Sequence, residues 1–242
     1  MDDAVYQYQH DRSPKELLFQ FTRCMVHFAV DDAQVKFCTR LQGKESWFLP
    51  FNKGYKDGAG NPPNPDGLMT DYLWKQILTK DMLSRIIENY ATLVEEKDEE
   101  TGKTRYKQIF PRYHQLTAVE SLLADVKKNG VGNRYLIQHS AGSGKSNSIA
   151  WLAHQLTGLE DAQGNLLVDS VIVVTDRVVL DKQIRDTIRQ FAQTRNIIAW
   201  AEHSGDLRKA IEDGRRIIIT TIEKFPYVLP EIGEVRKDRH FA

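Results

Sequence analysis

The stretch Arg134–Leu156, RYLIQHSAGSGKSNSIAWLAHQL, decides how this chain is read. RYLIQH reads as a strand, a glycine-rich turn follows, and GKSNSIAWLAHQL reads as a helix. In the turn, Gly142 and Gly144 let the backbone bend tightly and approach an anion with no Cβ in the way. The helix begins directly afterwards, so its unpaired N–H groups and the positive end of its dipole converge on the same point. Ser140, Ala141, Gly142, Ser143, Gly144, Lys145 and Ser146 therefore form a candidate phosphate cradle. Lys145 is the candidate catalytic cation for the outer phosphates, and the Ser146 hydroxyl is the candidate ligand for the Mg²⁺ that accompanies ATP. The strict pattern has a glycine five residues before Gly144, where this chain has His139. That position is the end of the strand, away from the crowded turn. The reading is ATP or GTP binding, with the driven process still open.

Outward from the loop, strands and helices alternate. RYHQLTAVESLLADVKKNG is an amphipathic helix with Leu116, Val119, Leu123 and Val126 on one side. SVIVVT reads as a strand, LDKQIRDTIRQFA and AEHSGDLRKAIEDG as helices, and RRIIITT as a strand. This order predicts an α/β domain with a parallel sheet covered on both faces, and the unbroken apolar runs VIVV and IIIT agree with it. Just upstream, PRYHQ places Arg112 and Gln115 at a helix start. A glutamine carries a donor and an acceptor side by side and can read the N6/N7 edge of adenine.

The first region is different in texture. TRCMVHFAV, QVKFCTRL and SWFLPF, rich in aromatic and β-branched residues, read as strands. FNKGYKDGAGNPPNPDG reads as a long irregular loop. TDYLWKQILTKDMLSRIIENYATLV reads as helical, with Thr70 and Thr79 as candidate N-caps of two short helices. The polar run EEKDEETGKTRYK reads as a solvated connection or hairpin. The predicted organisation is residues 1–93 as one region, 94–107 as linker and 108–242 as the phosphate-loop domain.

Bulk properties set limits. The 242 residues suffice for one large or two small domains, and the net charge of zero gives no overall basic field. Cys24 and Cys38 are too few for a disulfide framework, and no run is long or apolar enough to span a bilayer. The expectation is a soluble cytoplasmic protein. His10, His27, His154, His203 and His240 lack metal-ligand spacing.

With these residues placed, the second region resembles the first motor domain, RecA-like, of superfamily 2 helicases and translocases. PRYHQ resembles the adenine-reading motif, HSAGSGKS motif I, VIVVTDRVVLDKQ motif Ia and IIITTIEKF motif Ib. The wording TDRVVLDKQ and TTIEKF is similar to the motor (restriction) subunit of type I restriction enzymes. DRSPKELLFQFTRCMVHFAVDD, SWFLPFNKGYKDGAGNP and MTDYLW resemble the segment between nuclease motif and motor in that family. The resemblance implies ATP with Mg²⁺ as cofactors, double-stranded DNA as substrate, and modification and specificity subunits as partners. It implies that Arg177 and Lys182 neutralise DNA phosphates, and that Thr220, Thr221 and Lys224 donate to them.

Two departures qualify it. The family's nuclease site needs an acidic residue followed by a Glu-x-Lys strand. Glu95-Glu96-Lys97 fits the spacing but sits in a polar run and is read as solvated. DDAVYQYQHDR is read as the helix that follows the nuclease motif, so the first region is the C-terminal part of a nuclease-type domain. RHFA is read as leading into the strand of a DEAH-like motif II. The expectation is a piece of a longer protein, one that binds nucleotide without appreciable turnover. Another superfamily 2 DNA helicase, a non-catalytic nucleotide- or DNA-binding module and a small-molecule P-loop kinase are the alternatives.

Overall fold

The computed structural model describes residues 1–97, 102–176, 178–191, 197–201, 203–224, 226 and 240–242. The chain divides into two compact units, Met1–Leu116 and Thr117–Ala242.

The first unit opens with a short helix α1 (Asp2–Tyr6) that continues as a π-helical turn to Asp11. Strands β1 (His27–Val30), β2 (Val35–Cys38) and β3 (Leu49–Pro50) form an antiparallel sheet in that order. Phe28, Phe37, Phe51, Phe110 and Tyr113 meet largely edge to face over this sheet, with centroids 5.4–6.5 Å apart. That is the spacing at which aromatic quadrupoles attract. The expected loop after Phe51 is irregular, as read, and side chains hold it. Asn61 accepts from Lys53 N at 2.8 Å and donates to Ala33 O and to Asn52 Oδ1. Asn52 in turn accepts from Val35 N and donates to Ala59 O, both at 2.8 Å.

The helical stretch is two pieces: a π-helical turn at Leu73–Ile77 and helix α2 (Lys80–Asn89). Thr79 caps α2 as expected, accepting from Met82 N. Thr70 does not cap; it is buried and donates to Asp31 O at 2.8 Å. The helix stops before Ala91-Thr92-Leu93-Val94, read from sequence as its continuation. Thr92–Lys97 instead forms β4, paired antiparallel with β5 (Thr104–Ile109). The polar 94–107 stretch is thus largely a hairpin. It is held by cross-strand contacts, Tyr106 Oη to Glu95 at 2.8 Å and Lys107 Nζ to Glu96 at 3.2 Å. The division between the units falls later, inside helix α3 (Tyr113–Asn129).

In the second unit, helix α4 (Lys145–Thr157), strand β6 (Val171–Thr175), helix α5 (Val178–Phe191), strand β7 (Ile198–Trp200), helix α6 (Ser204–Glu212) and strand β8 (Ile217–Thr221) follow in turn. The three strands form a parallel sheet in the order β6-β8-β7. β8 is central and buried at all five positions, which explains its unbroken apolar run. Its Ile218 packs with Leu207, Ala210 and Ile211 of α6. α4 turns Trp151, fully buried, and Ala150, Ala153 and Leu156 inward. His154 on α4 reaches Ile188 O on α5 at 3.0 Å. β7 is a strand that the sequence reading did not foresee.

One expected strand is absent. RYLIQH, residues 134–139, forms no strand, and Leu136 is 94% exposed. Both edges of β6 are already used: Val171 N donates to Arg216 O beside β8, while Ile172 N donates the other way to Ala242 O at 2.8 Å. Phe241 bridges Ser170 in parallel on that same outer edge. An apolar run becomes a strand only where a ladder receives it.

Candidate functional site

The glycine turn has the backbone its sequence demands. Gly142 and Gly144 adopt φ of +71° and +80°, in the left-handed region where an L side chain is strained. Gly144 is the residue before α4, and no side chain caps that helix start. The first turn of α4 carries no acidic residue. Its leading amides and dipole end therefore face the loop without an internal anion to satisfy them. Ser143 N donates to Ser140 O at 3.3 Å, closing the turn.

Lys145 is exposed and folds back over the loop, its Nζ donating to Ser140 O at 2.9 Å and His139 O at 3.3 Å. Ser146, next on the helix, is half-buried at its first turn. The structure brings these residues together as one cradle: two left-handed glycines, an uncapped helix start, a cation and a hydroxyl. The donor set fits an anion of high charge with a hard cation beside it.

The approach to the loop is pinned from α3. Asp125 accepts from Asn129 Nδ2 at 2.7 Å, from Asn133 Nδ2 at 3.2 Å and from the Tyr135 hydroxyl. The Tyr135 hydrogen bond, with those of the two asparagines, holds the Asp125 carboxyl below the usual carboxylate range. The same bond holds the Tyr135 phenol above its ordinary value. Sequence reading missed this cluster. The available signal was an Asp and an Asn at helical i, i+4 spacing, with a second Asn and a Tyr just past the helix end.

Arg112 and Gln115 sit together in the first unit. Gln115 is 3% exposed, and its Oε1 accepts from Arg112 N at 2.9 Å, which anchors the start of α3. The threonines of motif Ib are placed less openly than expected. Thr220 and Thr221 are buried in β8, so neither hydroxyl is presented to a duplex. Their strand is the sheet's centre. Lys224 follows in a 3₁₀ turn, with Nζ donating to Ala201 O. Lys182 lies on α5, its side chain outside the described residues, as is Arg177 altogether. Glu95 and Glu96 are spent on the hairpin contacts already described. Among the described residues, no group of His, Cys, Asp and Glu could hold a metal ion by itself.

A family model described as SWI2/SNF2 ATPase matches residues 114–240. That span covers more than half of the chain. The chain belongs to the SWI2/SNF2 ATPase family. No curated protein matches it. The matched span of this SWI2/SNF2 ATPase contains Gln115, the glycine loop and the whole β6-β8-β7 sheet. The second region is therefore a helicase-like ATPase module of superfamily 2, as its motifs implied. No helix among the described residues is long and apolar enough to cross a membrane.

Proposed function

We propose that this chain binds ATP with Mg²⁺ and serves as the motor module of a type I restriction enzyme's DNA-translocating subunit. The observation that carries the nucleotide reading is the loop itself: two glycines at positive φ, an uncapped α4 start and Lys145 within the same turn. Lys145 takes the outer phosphates, the amides at the start of α4 take their oxygens, and Ser146 would hold Mg²⁺. Mg²⁺ held there by Ser146 would offset charge that develops during phosphoryl transfer. The motif assigns Arg112 and Gln115 to the base, and adenine suits Gln115 because its N6 donor and N7 acceptor match an amide.

The wording TDRVVLDKQ and TTIEKF supports the restriction-enzyme reading. On it, Arg177, Lys182 and Lys224 meet phosphates of duplex DNA, and modification and specificity subunits in the cytoplasm choose the sequence. The first unit is then the remainder of a nuclease-type domain.

Calorimetry of the chain with Mg·ATP tests the site. Lys145→Ala removes a charge-assisted contact, the kind worth about 1.5–3 kcal/mol, and should weaken ATP about 10- to 150-fold. An affinity unchanged by that substitution would remove the site assignment. Duplex binding that ignores salt would remove the DNA reading, because each neutralised phosphate releases counterions.

A further inference from the structure

The two arms of the phosphate loop are held by different means. On the leaving side, α4 turns Ala150, Trp151, Ala153 and Leu156 into the core, so Lys145 starts from a fixed base. On the entering side, residues 134–139 form no strand; Leu136 is almost fully exposed, and Tyr135 and Ile137 are half-exposed. Yet the entering arm supplies the carbonyls that hold the Lys145 ammonium, those of His139 and Ser140. The Ser140 carbonyl also receives Ser143 N, which closes the turn. A cradle with one anchored arm keeps its shape only if the other arm is tied as well.

Asp125 supplies such a tie. It lies on α3, which buries Val119, Leu123 and Val126, so its backbone is anchored. Its carboxylate accepts from Asn133 Nδ2 at 3.2 Å and from the Tyr135 hydroxyl, and Tyr135 belongs to the entering arm. Asn129 Nδ2, at 2.7 Å, steadies the carboxylate from its own helix. Bonds accepted by a carboxylate are charge-assisted and stronger than neutral ones. With Tyr135 tied, the connection left to order between α3 and α4 shrinks from Gly130–Gly144 to Leu136–Gly144. The entropy lost in closing a connection grows with its length, and this shortening alone is worth about 2-fold in the ordered fraction.

We infer that Asp125 is a positioning residue for the phosphate loop: through Tyr135 and Asn133 it sets how much of the time the entering arm holds the shape that receives phosphates. The inference rests on the nucleotide reading proposed above and adds to it a side chain outside the phosphate cradle. A ligand's apparent affinity scales with the fraction of protein already competent to bind, so a loosened arm weakens binding without removing any contact. Simple charge predicts the opposite sign, since deleting a carboxylate deletes a repulsion of the incoming anion. The sign of the effect therefore separates positioning from electrostatics.

Calorimetry of the full chain with Mg·ATP and with magnesium tripolyphosphate tests it. Asp125→Ala should weaken both ligands by about 2- to 10-fold, with melting unchanged. Asp125→Asn, which keeps an acceptor oxygen, should fall between that variant and wild type. Tyr135→Phe should weaken both ligands too, and the chain carrying Asp125→Ala and Tyr135→Phe together should bind no more weakly than Asp125→Ala, because the two act through one bond. Without nucleotide, hydrogen exchange of residues 136–144 should quicken in Asp125→Ala. An Asp125→Ala chain that binds both ligands as wild type does, or more tightly, overturns the inference. So does a loss confined to ATP, which would place the effect at the base, or a loss matched by a fall in melting, which would mark a merely structural role. The two readings fail separately. A Lys145→Ala chain that binds ATP like wild type removes the nucleotide site and this inference with it, whereas an affinity that responds to Lys145 and ignores Asp125 removes this inference alone.

Discussion

The two units are held together by different means. In residues 1–116, the strands are short and cohesion comes from aromatic rings and from side chains that reach across loops to backbone groups. In residues 117–242, the parallel sheet and its helices satisfy their own backbone, and the core is aliphatic, around Ile217, Ile218 and Ile219 of β8. A regular core tolerates a generic sequence of the right period. A core of loops pinned by particular side chains depends on each of them. The first unit should therefore be the more fragile to single substitutions.

The sharpest way to break that contrast is Phe51→Ala. Phe51 is fully buried and touches Phe28, Phe37, Phe110 and Tyr113. Its backbone carbonyl accepts from the Tyr72 hydroxyl at 2.6 Å. The loss should be about 3–5 kcal/mol. Hydrogen exchange resolved by peptide should quicken through 1–116 and leave 117–242 unchanged; equal quickening in both would mean that the two cores are not separate.

Asn61→Ala comes next. It strips Lys53 N and Ala33 O of their partner, and buried backbone groups left unpaired cost about 1–3 kcal/mol. Thermal melting should show that loss, and exchange should localise it to 31–67. A loss below a few tenths would mean that the loop needs no pin.

This division also tracks what the sequence made legible. α3, α4 and β8 were readable because period and burial agree: Leu116, Val119, Leu123 and Val126 all turn inward. The loop was readable because only glycine sits without strain at the φ of Gly142 and Gly144. β7 is three residues long, too short for any period to register. The hairpin was ambiguous because its residues are polar on both faces, and its order comes from pairings such as Glu96 with Lys107. Thr92–Val94 has the composition of a helix end but is drawn into a strand by Gln108 and Ile109 opposite. RYLIQH has a strand's composition but finds no ladder. Thr220 and Thr221 end a run whose apolar part alone suggested burial, and they share it. In each miss, the deciding partner lies far along the chain.

Acid gives a gentler comparison, through one histidine in each unit that burial holds low. Burial holds His27 below its ordinary value of 6.5, and burial likewise lowers His154, against a smaller opposing effect from the Ile188 carbonyl. Both are therefore harder to protonate when folded, while the unfolded chain takes up protons below about 6.5. Their stabilisation is complete above that pH and is lost as pH falls towards the folded values. Each contributes a slope of up to about 1.4 kcal/mol per pH unit over that window. His27→Gln should flatten the acid limb of exchange in 1–116 only, and His154→Gln in 117–242 only. A histidine whose replacement leaves its own unit's acid limb unaltered is not the buried proton acceptor described.

The smallest effect expected is at Asp125. Asp125→Asn should bring the Tyr135 phenol down towards its ordinary value of 10.0, followed by NMR titration, with little change in melting. A Tyr135 titration that does not move would show that the aspartate is not its partner.

Lys145 carries one more consequence. Its ammonium is already ligated by the carbonyls of Ser140 and His139, so the loop contains its own rival for the charge. Any incoming anion must outbid two oxygens held at close range by the same turn. The apparent affinity of every ligand is then multiplied by the fraction of time the lysine is released, which weakens it. A sparsely charged anion such as chloride gains too little to displace them, whereas a triphosphate does. On the proposed nucleotide reading, the loop would act as a threshold device, passing over weakly charged anions and yielding to a ligand that bears several charges at once.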